Sequence, residues 1–61
     1  MLLQRIENHL KRRRMPPTRF GRAAVGDPRF VFDLRDGREP RSATIQRVTA
    51  YLDAQEQEQP Q

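Results

Sequence analysis

The sequence predicts an all-α fold, a compact bundle of four or five short helices. Apolar residues recur at intervals of three and four near both ends of the chain, which is typical of amphipathic helices. Prolines and glycines interrupt the stretches between them, so no helix is expected to be long. The 61 residues include no cysteine, so the thin core of one small domain must be stabilised by helix packing, by a partner or by self-association.

The first helix is expected at about residues 2–13, where two prolines after "KRRRM" stop it. Its apolar face consists of residues at helical spacing: Leu2, Leu3, Ile6 and Leu10. The cations of "KRRR" suit the negative end of the helix dipole, but they could equally bind phosphate. His9, the only histidine, is expected to face solvent because no catalytic or metal-binding pattern accompanies it.

The second helix is expected at about residues 17–25, with Pro17 in its first turn. Its inner and outer faces are predicted as follows: Phe20, Ala23 and Ala24 inward, Arg19 and Arg22 outward. Gly21 inside a helix costs about 1 kcal/mol relative to alanine. This cost indicates that a neighbouring helix approaches too closely for a β-carbon.

Gly26 is placed to end the second helix in a left-handed conformation. Asp27 then caps a third helix at about residues 28–36, with Pro28 in its first turn. The apolar residues of this helix are expected to face the core or its flank: Val31 and Leu34 inward, Phe30 at the flank. Gly37 is expected to end the helix.

Ser42 is expected to cap a fourth helix. Its buried stripe is predicted at helical spacing: Ile45, Val48 and Leu52, with Tyr51 beside them. The domain is expected to span residues 1–54. A flexible polar tail should follow at residues 55–61, because "AQEQEQPQ" has almost no apolar content.

Charge is distributed unevenly along the chain. Residues 1–41 carry a net charge of +6 and residues 42–61 a net charge of −2, which together give the formal net charge of +4. All the bases but Lys11 are arginines, whose planar fork suits bidentate contact with phosphate and guanine. This composition is compatible with nucleic-acid binding and also with a soluble helical protein that has a charged surface.

The second helix, a turn of about three residues and the third helix have the proportions of a helix-turn-helix. In "FGRAAVGDPRFVFDLRDGREP", Val31 and Leu34 are followed by Gly37, a basic residue and Pro40. These residues look like the pattern "I-x-x-[IL]-x-x-G-[KR]-x-P". Over residues 6–52, the chain therefore resembles the DNA-binding domain of the lambda-repressor-like, Xre-type transcriptional regulators.

The resemblance implies a sequence-specific regulator of transcription, expected to be a repressor, whose third helix enters the major groove of double-stranded DNA. The base-reading positions of the family match Pro28, Arg29, Phe32 and Asp33. Arg29 could bind guanine, Asp33 could accept from a cytosine amino group, and Phe32 could contact a thymine methyl group. The expected phosphate-binding residues flank the groove: Thr18, Arg19, Arg22, Arg38 and Arg41.

Several residues of the third helix also have structural explanations. Phe32 could belong to the core or to a protein interface, and Asp33 could pair with Arg29 or another neighbour. Asp36 is expected to pair with a nearby arginine rather than to contact DNA. An acid on a reading face lowers affinity for phosphate but rejects wrong bases, so these acids argue against non-specific coating of nucleic acid.

A module of this size is expected to act as a homodimer, or as a heterodimer with a related small regulator, with Ala50 and Tyr51 at the dimer or partner surface. The alternative is a protein-interaction module that binds a larger transcription factor, a toxin or the polymerase through its aromatic residues. No enzyme activity, metal, cofactor or small-molecule ligand is expected. The chain is expected to be cytoplasmic and nucleoid-associated, since no apolar run is long enough for a membrane helix.

Overall fold

A computed structural model of the chain describes residues 2–57 and contains four α-helices in that range. The helices are α1 (Leu2–Arg13), α2 (Pro17–Val25), α3 (Phe30–Arg35) and α4 (Ser42–Gln57). No strand occurs in this part of the chain. The expected all-α bundle is therefore confirmed, and the predicted bounds of the first two helices agree with the structure.

Each helix contributes two residues to a single buried apolar core. They are Ile6 and Leu10 of α1, Phe20 and Ala24 of α2, Phe30 and Val31 of α3, and Val48 and Leu52 of α4. Partly buried apolar side chains surround this core: Leu2, Met15, Val25, Leu34 and Tyr51. Because the core is divided evenly, displacement of any one helix would expose apolar residues of the other three.

The buried face of α2 differs from the prediction at one position. Phe20 and Ala24 are buried as expected, but Ala23 is exposed and Gly21 takes its place on the inner face. A β-carbon at Gly21 would overlap the carbonyl oxygen of Asp27 and would lie 3.3 Å from the Cβ of Phe30. The close approach predicted at Gly21 is therefore made mainly by the backbone of the turn, and only secondarily by the third helix.

The third helix is shorter than expected. It begins at Phe30 rather than Pro28, because residues 27–30 form a turn in which the Phe30 amide donates to the Asp27 carbonyl at 3.2 Å. Phe30 is only 7% exposed and belongs to the core, not to its flank. Its ring is buried because α3 begins directly against the gap that Gly21 leaves on α2. Gly37, with φ +93°, follows the helix end as predicted.

The fourth helix buries Val48 and Leu52 as predicted, but Ile45 is 39% exposed. The buried stripe of the fourth helix therefore starts at Val48 and not at Ile45. The prediction that Ser42 caps this helix is wrong, because Ser42 is already helical and the carbonyl of Arg41 accepts the first helical hydrogen bond, from the Ile45 amide at 3.0 Å. The helix also continues through Gln57, past the expected start of a tail at residue 55; residues 58–61 lie outside the described residues.

His9 is buried and not solvent-facing, contrary to the prediction. Its ring makes edge contacts with Phe20 and Tyr51, with centroid distances of 5.6 and 6.3 Å. Its Nε2 atom has no hydrogen-bond partner among the described residues. Burial lowers the pKa of His9, and the nearby charge of Arg13 lowers it further.

Two arginines of α1 attach the C-terminal half of α4. Arg5 forms ion pairs with Asp53 at 2.6 Å and with Glu56 at 3.0 Å. Arg13 donates to the carbonyl oxygen of Gln55 at 2.9 Å and to its side chain at 3.3 Å. These contacts join α1 to the last turns of α4, where residues 55–57 are helical although their side chains are polar.

Candidate nucleic-acid interface

The turn between α2 and α3 is held by backbone and side-chain hydrogen bonds. Gly26 adopts φ +73° and its amide donates to the Arg22 carbonyl at 3.0 Å, which ends α2 as predicted. The Asp27 amide donates to the carbonyl of Gly21 at 3.1 Å, and the Asp27 carboxylate accepts from the Arg29 amide at 3.0 Å. Asp27 therefore fixes the direction in which α3 leaves the turn, although it lies three residues before the first helical residue.

The predicted base-reading residues lie at the turn and along α3. Arg29, Phe32 and Asp33 are spaced three and four residues apart, so they share one side of the helix, whereas Pro28 is half-buried in the turn. Arg29 is exposed and forms no ion pair within residues 2–57. Phe32 is 45% exposed and is not a core residue. Asp33 is half-buried. Three side chains of different chemistry thus form one stripe that is exposed at Arg29 and Phe32 and half-buried at Asp33.

Asp33 is held by Arg38 rather than by Arg29. The Arg38 guanidinium lies 3.4 Å from the Asp33 carboxylate, and the Arg38 amide donates to the Asp33 carbonyl at 3.0 Å. Asp33 therefore forms an ion pair, as the structural explanation predicted, but its partner is Arg38, which lies beyond the end of α3. Asp36 was expected to pair with an arginine, but it forms no ion pair in the part of the chain that the structure describes.

Phe32 is supported by an ion pair that sequence reasoning missed. The Arg35 guanidinium lies 5.6 Å from the centre of the Phe32 ring. Arg35 is in turn bound by both carboxylate oxygens of Glu7, at 2.7 and 2.8 Å. Since Glu7 lies on α1 and 28 residues away, no local pattern could have identified this pair.

A shallow cleft of about 440 Å³ lies between the turn, α3 and the start of α4. Its floor is apolar, with Phe30 and Leu34 among the lining residues. Its rim carries three cations and three acids: Arg38, Arg41 and Arg47, with Asp27, Asp33 and Glu39. The cleft therefore places predicted phosphate-binding arginines next to a predicted base-reading aspartate.

Arg47 and Thr44 line this cleft but were not predicted. The available signal was their spacing, because Arg41, Thr44 and Arg47 follow one another at intervals of three along the start of α4. Residues three apart on a helix lie on the same side. Applied to the fourth helix, this rule would have extended the predicted phosphate-binding set by two residues.

The remaining predicted phosphate-binding residues lie on α2 and are all exposed: Thr18, Arg19 and Arg22. Of the twelve cationic side chains, only Arg5, Arg35 and Arg38 form ion pairs within residues 2–57. Arg38 is thus the one member of the predicted set whose charge is already engaged. The cations of α2 and of the α4 start are accessible to an anionic partner.

The four cations of the "KRRR" segment at the end of α1 differ in their surroundings. Lys11, Arg12 and Arg14 are exposed, but Arg13 is half-buried and bonded to Gln55 of α4. One of the four cations thus has a structural role in attaching α4. The other three are accessible, and both the dipole and the phosphate explanations remain open for them.

The predicted dimer surface at Ala50 and Tyr51 is only partly accessible. Ala50 is exposed. Tyr51 is half-buried, and its ring lies edge-on to Phe20 with a centroid distance of 5.5 Å. Tyr51 is therefore mainly a residue of the core edge, because α4 turns it toward α1 and α2.

Within residues 2–57, the structure brings no three histidine, cysteine or acidic side chains together in a group that could hold a metal ion. Over the same range, no helix has the length and apolar content needed to cross a membrane. No protein-family model, curated protein or solved structure matches this chain.

Proposed function

We propose that this protein is a sequence-specific double-stranded DNA-binding regulator of transcription that acts as a repressor by occupying its binding site. The observation that carries the proposal is the stripe of Arg29, Phe32 and Asp33 at the turn and the start of α3, which is exposed at Arg29 and Phe32 and half-buried at Asp33. The opposite side of this short helix is buried through Phe30 and Val31. The stripe is therefore presented from a fixed support, as a reading surface requires.

The chemistry of the stripe fits the edges of base pairs. A guanidinium donates to guanine, a carboxylate accepts from the cytosine amino group, and an apolar ring contacts the thymine methyl group. An α-helix with its side chains is about 10–12 Å across, so a major groove about 12 Å wide admits it. The six residues of α3 are about 9 Å long, which exceeds the separation of about 3.4 Å between adjacent base pairs. The stripe of Arg29, Phe32 and Asp33 can thus reach adjacent base pairs.

The charge distribution supports contact with the phosphate backbone beside the groove. Arg41 and Arg47 line the cleft that also contains Asp33, so they lie next to the proposed reading residues. Neither forms an ion pair with another described residue. Free arginines beside a reading helix supply affinity that depends on salt and not on sequence. We further propose that two copies, or one copy and a related small regulator, bind half-sites about one helical turn apart.

Selection of bound fragments from random DNA, at about 50 and 200 mM salt, tests this function, because phosphate contacts lose most of their affinity across that range. An enriched motif that persists at the higher concentration is the expected result. A motif with two-fold symmetry would support the dimer and define its half-site spacing. Binding without a motif, or no binding at either concentration, would refute the proposal.

Two substitutions separate base reading from phosphate binding. Arg29→Ala should cost about 1–3 kcal/mol of binding free energy and relax the preference at one base pair. Arg41→Ala should weaken binding to all sequences alike and reduce the slope of affinity against salt by about one. Arg5→Gln, which removes two ion pairs between α1 and α4, is the matched control. Equal effects of Arg29→Ala and Arg41→Ala would show that the reading face is assigned wrongly.

A protein-interaction module is the second candidate function, and the exposure of two large apolar side chains favours it. Phe32 is 45% exposed and Ile45 is 39% exposed, and aromatic residues are enriched among those that dominate binding energy at interfaces. A chain that binds no DNA, but forms a stable complex with purified polymerase that Phe32→Ala abolishes, would favour this function instead.

A further inference from the structure

The side chain of Phe32 is restrained by two residues that are remote from the predicted reading positions. Arg35, at the end of α3, places its guanidinium 5.6 Å from the ring centre. Glu7 of α1 holds this guanidinium through two hydrogen bonds of 2.7 and 2.8 Å. A bidentate pair of this kind fixes the guanidinium in one plane, so the ring has a fixed neighbour on one face.

The Glu7–Arg35 pair is better explained by positioning than by stability. The side chains are 34% and 41% exposed, and ion pairs in such positions contribute little to folding because water screens them. The hydrogen bonds from Arg35 lower the pKa of Glu7, so the pair stays charged at neutral pH. What the pair does provide is a restrained aromatic side chain, which loses less conformational entropy when it binds.

The surroundings of Phe32 indicate the kind of group that it would contact. Its neighbours on this side of the helix are Arg29 and Asp36, three and four residues away, and the adjacent, half-buried Asp33. A single ring among charged side chains is much smaller than the apolar patches that mark protein interfaces. In the major groove, however, the apolar group is also isolated, because the 5-methyl group of thymine lies among hydrogen-bonding atoms.

We propose that Phe32 is a specificity-determining residue that reads the 5-methyl group of one pyrimidine in the major groove, and that Glu7 and Arg35 are its positioning residues. This inference rests on the proposed function, since it concerns the same DNA-binding face. It adds the residues that position the ring, and it assigns a role to the ion pair of Glu7 and Arg35.

The test uses the full chain and the motif obtained by fragment selection. Each thymine of the motif is replaced singly by deoxyuridine, which removes the methyl group, and each cytosine by 5-methylcytosine, which adds one. At one position the affinity of the unsubstituted chain should change about four-fold, the ratio that corresponds to burying one methyl group. Phe32→Ala, a change at an exposed position, should make binding insensitive to the methyl group at that position.

The positioning role is tested by exchanging the two charges. In the double variant Glu7→Arg/Arg35→Glu, an ion pair between α1 and α3 can still form, but a carboxylate replaces the guanidinium beside the ring. We expect this variant to unfold at the same temperature as the unsubstituted chain and to lose the methyl preference. Arg5→Gln is the control, because it breaks two ion pairs of α1 that do not involve α3; it should keep the preference.

The outcomes distinguish this inference from the proposed function. If no motif is selected, the proposed function fails. If a motif is selected but Phe32→Ala and the unsubstituted chain respond alike to every methyl change, the function stands and the assignment of Phe32 is overturned. If Phe32→Ala loses the preference but the charge-exchanged variant retains it in full, the positioning role of Glu7 and Arg35 is overturned.

Discussion

Replacing Gly21 with alanine tests how the turn and the third helix are joined to α2. Helix propensity alone predicts that this substitution stabilises the domain by about 1 kcal/mol. The structure predicts the opposite sign. A β-carbon at this position would overlap the carbonyl oxygen of Asp27, and it would lie 3.2 Å from the carbonyl carbon and 3.3 Å from the Cβ of Phe30.

The magnitude follows from what must move. The obstacle is a backbone carbonyl that accepts from the Phe30 amide at 3.2 Å, while the amide of the same residue, Asp27, donates to Gly21 at 3.1 Å. Losing these two hydrogen bonds costs about 1 kcal/mol each, and the crowding itself costs about 1–3 kcal/mol. After the gain in helix propensity is subtracted, about 2–4 kcal/mol of net destabilisation remains.

Thermal unfolding followed by circular dichroism measures this effect. For a domain of this size, about 2 kcal/mol lowers the melting temperature by at least about 8 °C. Ala23→Gly is the matched control, because Ala23 is exposed on the same helix and the change should cost only the propensity difference of about 1 kcal/mol. A Gly21→Ala variant as stable as the unsubstituted chain would refute the packing described here.

The remaining predictions concern the core and its one buried histidine. Leu52→Ala should destabilise the domain by about 2–5 kcal/mol because Leu52 is fully buried, whereas Ile45→Ala should change stability by about 0.5 kcal/mol because Ile45 is 39% exposed; equal losses in urea unfolding would contradict the assigned core. Burial lowers the pKa of His9 below its ordinary value of 6.5. As the pH falls, His9 therefore binds a proton at a higher pH in the unfolded chain than in the folded chain. Stability should therefore be complete above about pH 6.5 and should fall as pH decreases toward the lower folded-state pKa. His9→Met should remove this loss between pH 7 and 5, while the loss due to Glu7, whose pKa is lowered from 4.5, should occur only at more acidic pH. An unchanged pH profile in His9→Met would refute the role of the histidine.

Local sequence patterns were sufficient to predict the helices, but not to predict which face of each helix is buried. Prolines before α2 and the left-handed Gly26 after it define that helix from sequence, since both act within a few residues. The sequence nevertheless predicts Ala23 on the inner face of α2 and Ile45 in the buried stripe of α4, whereas both residues are exposed in the structure. Apolar spacing identifies an amphipathic helix, but the rotation of the buried face depends on what packs against it.

The candidate site shows the same division. The predicted reading residues Arg29, Phe32 and Asp33 do lie on one side of the turn and α3, exposed at the first two and half-buried at Asp33, because positions three and four apart on a helix lie together whatever the surroundings. Their partners could not be predicted in this way. Arg38 binds Asp33 from beyond the helix end, and Glu7 binds Arg35 from the other end of the chain.

His9 shows most clearly the difference between what the sequence predicts and what the tertiary structure decides. From the sequence, a lone histidine between charged and polar residues is expected in solvent, because nothing nearby in the chain would bury it. In the structure, Phe20 and Tyr51 enclose it from two other helices. The sequence by itself determined a bundle of short helices, the prolines and glycines that end the first three of them, and an excess of arginine, since these depend on composition and on residues close together in the chain. The tertiary structure alone decided which side chains are buried, paired or accessible, because those properties depend on residues that only the packing of the helices brings together.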